Sequence, residues 1–285
     1  MRLRLALFTV AVLCLLRATA FAADAEDRFF VTSDGVRLHY LEAGQGHTII
    51  LVPGWTMPAW IWQPQIDFFA RAYHVVALDP RSQGESEITW SGDEPLRRAE
   101  DIAELIARTG GADPVLLAGW SLGVLDALAY VHVHGDGRLA GLVLVDNSVG
   151  ENPPPRAERH PHGYRKPPYD EWVELFVHGM FANPQPAGYL DRLTESALRT
   201  PKAIAHELLA YPLPRTYWRE AIYSTMKPIL YVVRPHLEGQ AANLQANHPG
   251  AESVVFQGVG HALFVDDPDR FDTLMQDFIR RRLWR

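Results

Sequence analysis

Residues 115–131, VLLAGWSLGVLDALAYV, contain a strand, a sharp turn and a helix in immediate succession. Val115 to Ala118 is an apolar run of strand length, and the segment from Leu122 onward reads as a helix. Glycine stands two places before and two places after the serine of the intervening Gly119-Trp120-Ser121-Leu122-Gly123. A turn this tight presses backbone on backbone, so a β-carbon at either glycine would collide. It also holds the Ser121 hydroxyl proud of the sheet at a helix N-terminus, where unpaired N–H groups favour developing negative charge. The plainer alternative is a serine that only caps a helix after a glycine turn.

Outward from this segment, strand and helix alternate. His47 to Val52 and Tyr73 to Leu78 are apolar runs ending at Pro53-Gly54 and Asp79-Pro80, as expected of strands buried on both faces. A helix from Leu96 to Arg108 puts Ala99, Ile102, Leu105 and Ile106 on one side and stops at Gly110-Gly111. Strands follow at Leu142–Val145, Ile229–Val233 and Ser253–Phe256, and an amphipathic helix from Pro268 to Arg281 closes the chain. Phe29 to Leu41 reads as an edge hairpin turning at Ser33-Asp34-Gly35. This order predicts an α/β fold, a doubly wound and mostly parallel sheet whose ligands gather at the carboxyl ends of its strands. Between Val149 and Lys227 the alternation breaks. Prolines crowd its start, and helical stretches at Asp170–Phe181, Pro186–Leu198 and Pro201–Leu209 read as an inserted helical lid. The expected division is a core of residues 23–149 and 228–285 with a lid at 150–227.

Residues 1–22 read as an export signal: Arg2 and Arg4 precede an uncharged run from Leu5 to Leu16, and Ala20-Phe21-Ala22 offers small residues for cleavage. The run has 12 residues, whereas a membrane span needs about 20. A periplasmic or secreted protein is expected, with no stable membrane insertion after cleavage. The net charge of −7 becomes −10 without the three arginines of that leader, which argues against nucleic acid as a partner. The single cysteine, Cys14, also lies in the leader, so disulfides, cysteine catalysis and thiolate metal sites are not expected in the remainder.

A serine hydroxyl is a weak nucleophile until a base takes its proton. Among 12 histidines, His261 stands out because it follows the last strand in Gly258-Val259-Gly260-His261-Ala262-Leu263-Phe264, on a loop at the same sheet edge. His132 and His134 lie two apart on a helix and cannot share a face, and His160 and His162 fall in the lid. No ligand-spaced cluster is present, so neither a metal nor a cofactor is implied.

Taken together, LVPGW at 51–55, DPRSQGES at 79–86, GWSLG at 119–123 and GVGHALF at 258–264 resemble, in order, the landmarks of the α/β-hydrolase superfamily. GWSLG with Gly54-Trp55 is similar to the carboxylesterases that cleave pimeloyl-carrier-protein methyl esters, and perhydrolases of the non-haem haloperoxidase type share the scaffold. The resemblance implies a serine, acid, histidine chain order, with an oxyanion hole from the backbone N–H groups of Trp55 and Leu122. Two departures stand out: Pro53-Gly54 replaces the usual His-Gly, and no Asp follows the strand ILYVV, which continues Arg234-Pro235-His236-Leu237-Glu238. Two carboxylates remain as candidates. Asp146, at the end of the preceding strand, is favoured because a strand end fixes it better than a loop; Glu238 is the alternative, nearer the family's usual place. Asp146-Asn147-Ser148 is also good turn chemistry.

The expected function is hydrolysis of a small-molecule ester through an acyl-enzyme on Ser121, with His261 as base and Asp146 orienting it. A perhydrolase, haloperoxidase-like or lactonase activity on the same triad, and a catalytically weak binding protein, are the alternatives. Trp55, Trp60, Trp62 and Trp120, with Trp172, Phe176, Met180 and Phe181 on a lid helix, suggest an aromatic-lined pocket. Arg156, Arg159, His160, His162, Arg165 and Lys166 are read as a solvated basic loop, with a preference for anionic substrates as the sharper reading. Asp79 and Arg81 are read as fixing a loop beneath the site.

Overall fold

The apolar runs lie side by side in one eight-stranded sheet. The computed structural model describes residues 25–155, 167–210 and 212–284; the leader and the basic segment at 156–166 lie outside them. Strands β1 (Glu26–Val31) and β2 (Arg37–Ala43) form the expected hairpin, with Gly35 at φ +88° in its turn. They are followed by β3 (Thr48–Val52), β4 (His74–Leu78), β5 (Val115–Trp120), β6 (Leu139–Val145), β7 (Ile229–Val233) and β8 (Ala251–Val255). The order across the sheet is β1-β2-β4-β3-β5-β6-β7-β8. The hairpin is antiparallel, β2 joins β4 antiparallel, and all pairings among β3 to β8 are parallel.

The helices are α1 (Gln63–Phe69), α2 (Pro95–Thr109), α3 (Leu122–His134), α4 (Tyr169–Gly179), α5 (Ala187–Leu198) and α6 (Lys202–Glu207). Next come α7 (Arg215–Ser224), α8 (Glu238–Asn247), α9 (Leu263–Asp266) and α10 (Pro268–Arg282). Every residue of β3, β5 and β7 is buried, because both faces of the sheet are covered. The period-2 alternation splits β5 between two cores. Leu116, Ala118 and Trp120 pack with α1, α9 and α10 on one face, while Val115 and Leu117 pack with α2, α3, α7 and α8 on the other. On the first face Trp62 stacks on Phe264 at 3.8 Å between ring centres.

The helices between β6 and β7 divide. α4, α5 and α6 place Val173, Val177, Leu193, Ala197, Ile204 and Ala205 in the first core, whereas α7 packs Trp218, Ala221 and Ile222 in the second. Direct hydrogen bonds tie the first group to the sheet's loops: Ala262 N–H to the Met180 carbonyl, Thr200 Oγ1 to the Ser82 carbonyl, and the Trp55 indole to the Ala205 carbonyl. The loop at 79–86 is structural, as its sequence suggested. Asp79 accepts from the backbone of Ala59 and Glu85 and pairs with His39, while the fully buried Arg81 forks onto Asp101.

Four helices were not anticipated, the one-turn α9 after His261 among them. α1 is seven residues long and starts through Pro64. α7 carries mixed polar residues. Most relevant to the site, the segment after β7 is not a loop but a short 3₁₀ turn, Pro235–Leu237, running into α8. α8 is hard to see because Gly239 and a polar run dilute its apolar face to Ala241 and Leu244.

One buried acid links α1 to α10. Asp272, 4% exposed, accepts from Gln65 Nε2 at 2.9 Å, and the same nitrogen donates to the Phe264 carbonyl. Burial pushes the Asp272 carboxyl up to about 7; the Gln65 bond opposes this and the charge of Asp269 adds to it. Gln65 Oε1 is buried with no partner, so a protonated Asp272 has an acceptor beside it. Because the folded-state value lies above the ordinary 3.8, this group's contribution is complete below about pH 4 and is lost as pH rises through about 7. Thermal melts of Asp272→Asn against wild type at pH 5 and pH 8 are therefore expected to show the variant gaining on wild type as pH rises. A constant difference across that range refutes the assignment.

Candidate active site

The turn from β5 into α3 has no spare volume. A β-carbon on Gly119 would lie 2.1 Å from the Gly123 carbonyl oxygen, and one on Gly123 would lie 2.4 Å from that of Val52. Ser121 is held between them at φ +53°, a conformation that side-chain-bearing residues rarely adopt and that costs about 1–3 kcal/mol. Its N–H donates to the Val145 carbonyl at 2.9 Å, and Asn147 Nδ2 donates to its carbonyl at 2.7 Å. The loop after β3 presses on the other side, where a β-carbon on Gly54 would be 3.0 Å from Ser121 Cβ. Trp55 follows in that loop, and Leu122 is the first residue of α3. Among the described residues, neither of their backbone N–H groups donates to a protein acceptor.

His261 lies on the loop after β8, reached through Gly258 at φ +75°. Its Nε2 is 2.9 Å from Ser121 Oγ and its Nδ1 is 2.6 Å from Asp146 Oδ2. The network assigns the tautomer: Nδ1–H donates to the carboxylate and Nε2 accepts from the serine hydroxyl. Trp120, fully buried, donates its indole N–H to the His261 carbonyl at 2.9 Å, and Asp266 accepts from Gly260 N–H at 2.6 Å. Asp266 also accepts from Ala182 N–H and Asn183 N–H, which joins the histidine loop to the connection between α4 and α5.

Asp146 follows β6 with φ +51°, its N–H on the Val232 carbonyl and its side chain fully buried. Burial alone would raise its carboxyl. The hydrogen bond from His261 and the charges of His261 and Arg234 outweigh that and hold it below the usual carboxylate range. Glu238, the alternative acid, is exposed in the first turn of α8 and makes no bond to His261. The 3₁₀ turn at Pro235–Leu237 lies between β7 and Glu238.

Arg234, the first residue after β7, was not anticipated. Its backbone N–H donates to Asp146 Oδ1 at 3.0 Å and its Nε to Asp146 Oδ2 at 2.6 Å, while Nη2 lies 3.3 Å from His261 Nδ1. The available signal was an arginine at the carboxyl end of a strand adjacent to the one bearing Asp146. His236, two residues on, is pushed down by burial and by the charges of Arg234 and His261, against the pull of Asp146.

The aromatic residues separate into different jobs. Trp62 and Trp120 are core, and Trp60 lines a second cavity together with Tyr189 and Arg192. Trp55 packs on Trp172 and Phe176, 4.9 and 5.2 Å between ring centres. Beside His261 a cavity of about 350 Å³ is walled by Leu175, Phe176, Gly179 and Met180 of the inserted segment, and by Arg234 and His261. Among the described residues no cluster of three metal-ligating side chains occurs, and no helix is long and apolar enough to cross a membrane.

A family profile for the alpha/beta hydrolase family matches residues 49–273. The chain belongs to this family. It is 33% identical over 152 residues to a non-heme haloperoxidase of Rhodococcus erythropolis, a match covering 52% of this chain and 54% of that one. The chain thus spans about half the length of that curated relative. It is 24% identical to the pimeloyl-[acyl-carrier protein] methyl ester esterase of Aliivibrio salmonicida, covering 85% of this chain and 96% of that one. An esterase structure from Rhodococcus sp. superposes with a TM-score of 0.74 at 23% identity, over 90% of this chain and 99% of the other, a likeness of fold.

The crowding at the turn can be checked directly. Gly119→Ala is expected to lower unfolding stability by about 1–3 kcal/mol or more, as overpacked sites do. Gly188→Ala, in α5 with open space around it, is expected to raise stability by about 0.5–1 kcal/mol. Denaturant melts giving both variants the same midpoint would contradict this account.

Proposed function

We propose that this hydrolase cleaves carboxylic esters through an acyl-enzyme on Ser121. The observation that carries the reading is the unbroken line from Ser121 Oγ through His261 to Asp146, 2.9 and 2.6 Å long. In the first step His261 Nε2 takes the serine proton as Oγ attacks the ester carbonyl. Asp146 accepts the Nδ1–H throughout, fixing the tautomer and stabilising the imidazolium. The N–H groups of Trp55 and Leu122 receive the oxyanion, a role in which one donor is worth about 10²–10³ in kcat. His261 then protonates the departing alcohol, and a water activated by the same nitrogen releases the acid. Each step uses side chains and backbone alone.

Within the family, the coverage of the pimeloyl methyl ester esterase along nearly its full length supports a carboxylesterase of that kind. A perhydrolase activity is the second reading, favoured by the higher identity to the haloperoxidase over its shorter span. A mere binding role is disfavoured, since a strained serine already bonded to a base has no use in one. Export to the periplasm or beyond is part of the proposal and rests on the leader sequence.

Hydrolysis of p-nitrophenyl acetate through octanoate tests the reading. Ser121→Ala is expected to lose about 10⁴–10⁶ in kcat and Asp146→Asn about 10⁴, while Glu238→Gln stays at wild-type rate. Equal turnover by wild type and Ser121→Ala would sink the proposal, and peracid formation exceeding ester hydrolysis would promote the second reading. Mass spectrometry of the exported protein is expected to find an N-terminus near Ala23; an intact Met1 on the exported chain contradicts cleavage.

A further inference from the structure

Arg234 sets an unusual charge count. With His261 neutral, as a base awaiting the serine proton must be, the Arg234 guanidinium and the Asp146 carboxylate cancel. When His261 takes the serine proton, two cations share one buried carboxylate, and both bond the same oxygen, Oδ2, at 2.6 Å. The second cation is close, with Nη2 3.3 Å from Nδ1. The oxyanion formed in the same step balances the count, but Arg234 beside Nδ1 still opposes the imidazolium locally, and an anion docked on its guanidinium offsets that.

The structure also supplies a place for that charge. Arg234 spends Nε on Asp146 and turns Nη2 to His261, while Nη1 has no partner among the described residues. Its side chain is 29% exposed and forms part of the wall of the 350 Å³ cavity beside His261. The other walls are Leu175, Phe176, Gly179, Met180 and His261, so among the described residues no carboxylate competes for the free edge there. An apolar chamber with one guanidinium edge recognises a short apolar group ending in an anion.

We propose that Arg234 is both the positioning residue for Asp146 and a docking point for a carboxylate on the substrate, making this an esterase selective for anionic esters. The substrate's carboxylate offsets the Arg234 charge beside the imidazolium, so the selectivity appears in kcat as well as in KM. The proposal rests on the ester-hydrolase reading above and goes beyond it in naming the substrate class.

The test uses two matched pairs at pH 8, which place the carboxylate on either side of the scissile bond. On the acyl side, p-nitrophenyl hemiglutarate is compared with p-nitrophenyl pentanoate; on the alcohol side, 4-acetoxybenzoate with 4-acetoxybenzamide. Wild type is expected to favour the anion in at least one pair by about 10- to 100-fold in kcat/KM, the range of a charge-assisted hydrogen bond. In Arg234→Gln that ratio falls to within about threefold of one. In Arg234→Lys it is partly kept, because a point charge replaces the fork. Taking the ratio within each variant cancels whatever the substitution costs the triad. Wild type showing no preference for either anion overturns the proposal even if the variants fail to fold, as does an undiminished ratio in Arg234→Gln. Hydrolysis of the neutral esters that depends on Ser121 leaves the esterase reading standing in those cases, so the two ideas fail separately.

Discussion

Backbone packed on backbone at the β5–α3 turn is the constraint from which the site is built. Because Gly119 and Gly123 leave no room for a β-carbon, the chain reverses tightly enough to force Ser121 to a positive φ. That conformation aims its N–H at the end of β6 and its carbonyl at Asn147, while Gly54 brings the loop after β3 into contact from the other side. Three adjacent parallel strands are thereby registered around one hydroxyl. The local strain is sustained by packing on both faces of the sheet, where β3, β5 and β7 are wholly buried.

The sequence was most readable where covalent chemistry and sterics leave few options. Glycines flanking a serine between an apolar strand and a helix admit one geometry, and long apolar runs admit burial on both faces. His261 was accessible for a related reason, since strand order puts the loop after β8 at the same edge as the turn after β5. The acid was harder, because Asp146 and Glu238 both satisfied position and charge, and what separates them is a 3₁₀ turn at Pro235–Leu237. The roles of Trp120 and Arg234 were out of reach for another reason. Each depends on contacts between segments more than 25 residues apart, and an indole N–H on a carbonyl leaves no mark on local periodicity.

Buried charge in this molecule is handled in three different ways. Arg98 pairs with its own carboxylate, Asp126, whereas Asp101 is shared between Arg81 and Arg97. Asp146 is shared between two donors, and the desolvation of its side chain is met by both. Asp272 represents a third outcome: with no cation beside it, burial favours the neutral acid and an amide oxygen waits for its proton. The Asp146 arrangement stands, through Arg234 and His261, at the edge of the cavity beside the serine, where an incoming molecule can change the balance.

The stitching of the inserted helices to the histidine loop has a mechanical consequence. Asp266 grips Gly260 and the backbone of Ala182 and Asn183 together, and Met180 accepts from Ala262 on the far side of His261. A wholesale swing of these helices would pull the imidazole away from the serine, so passage to the cavity falls to individual side chains such as Leu175 and Phe176. The cap and residues 260–266 are one mechanical part. A chimaera that borrows a relative's cap to change specificity must borrow that relative's histidine loop with it.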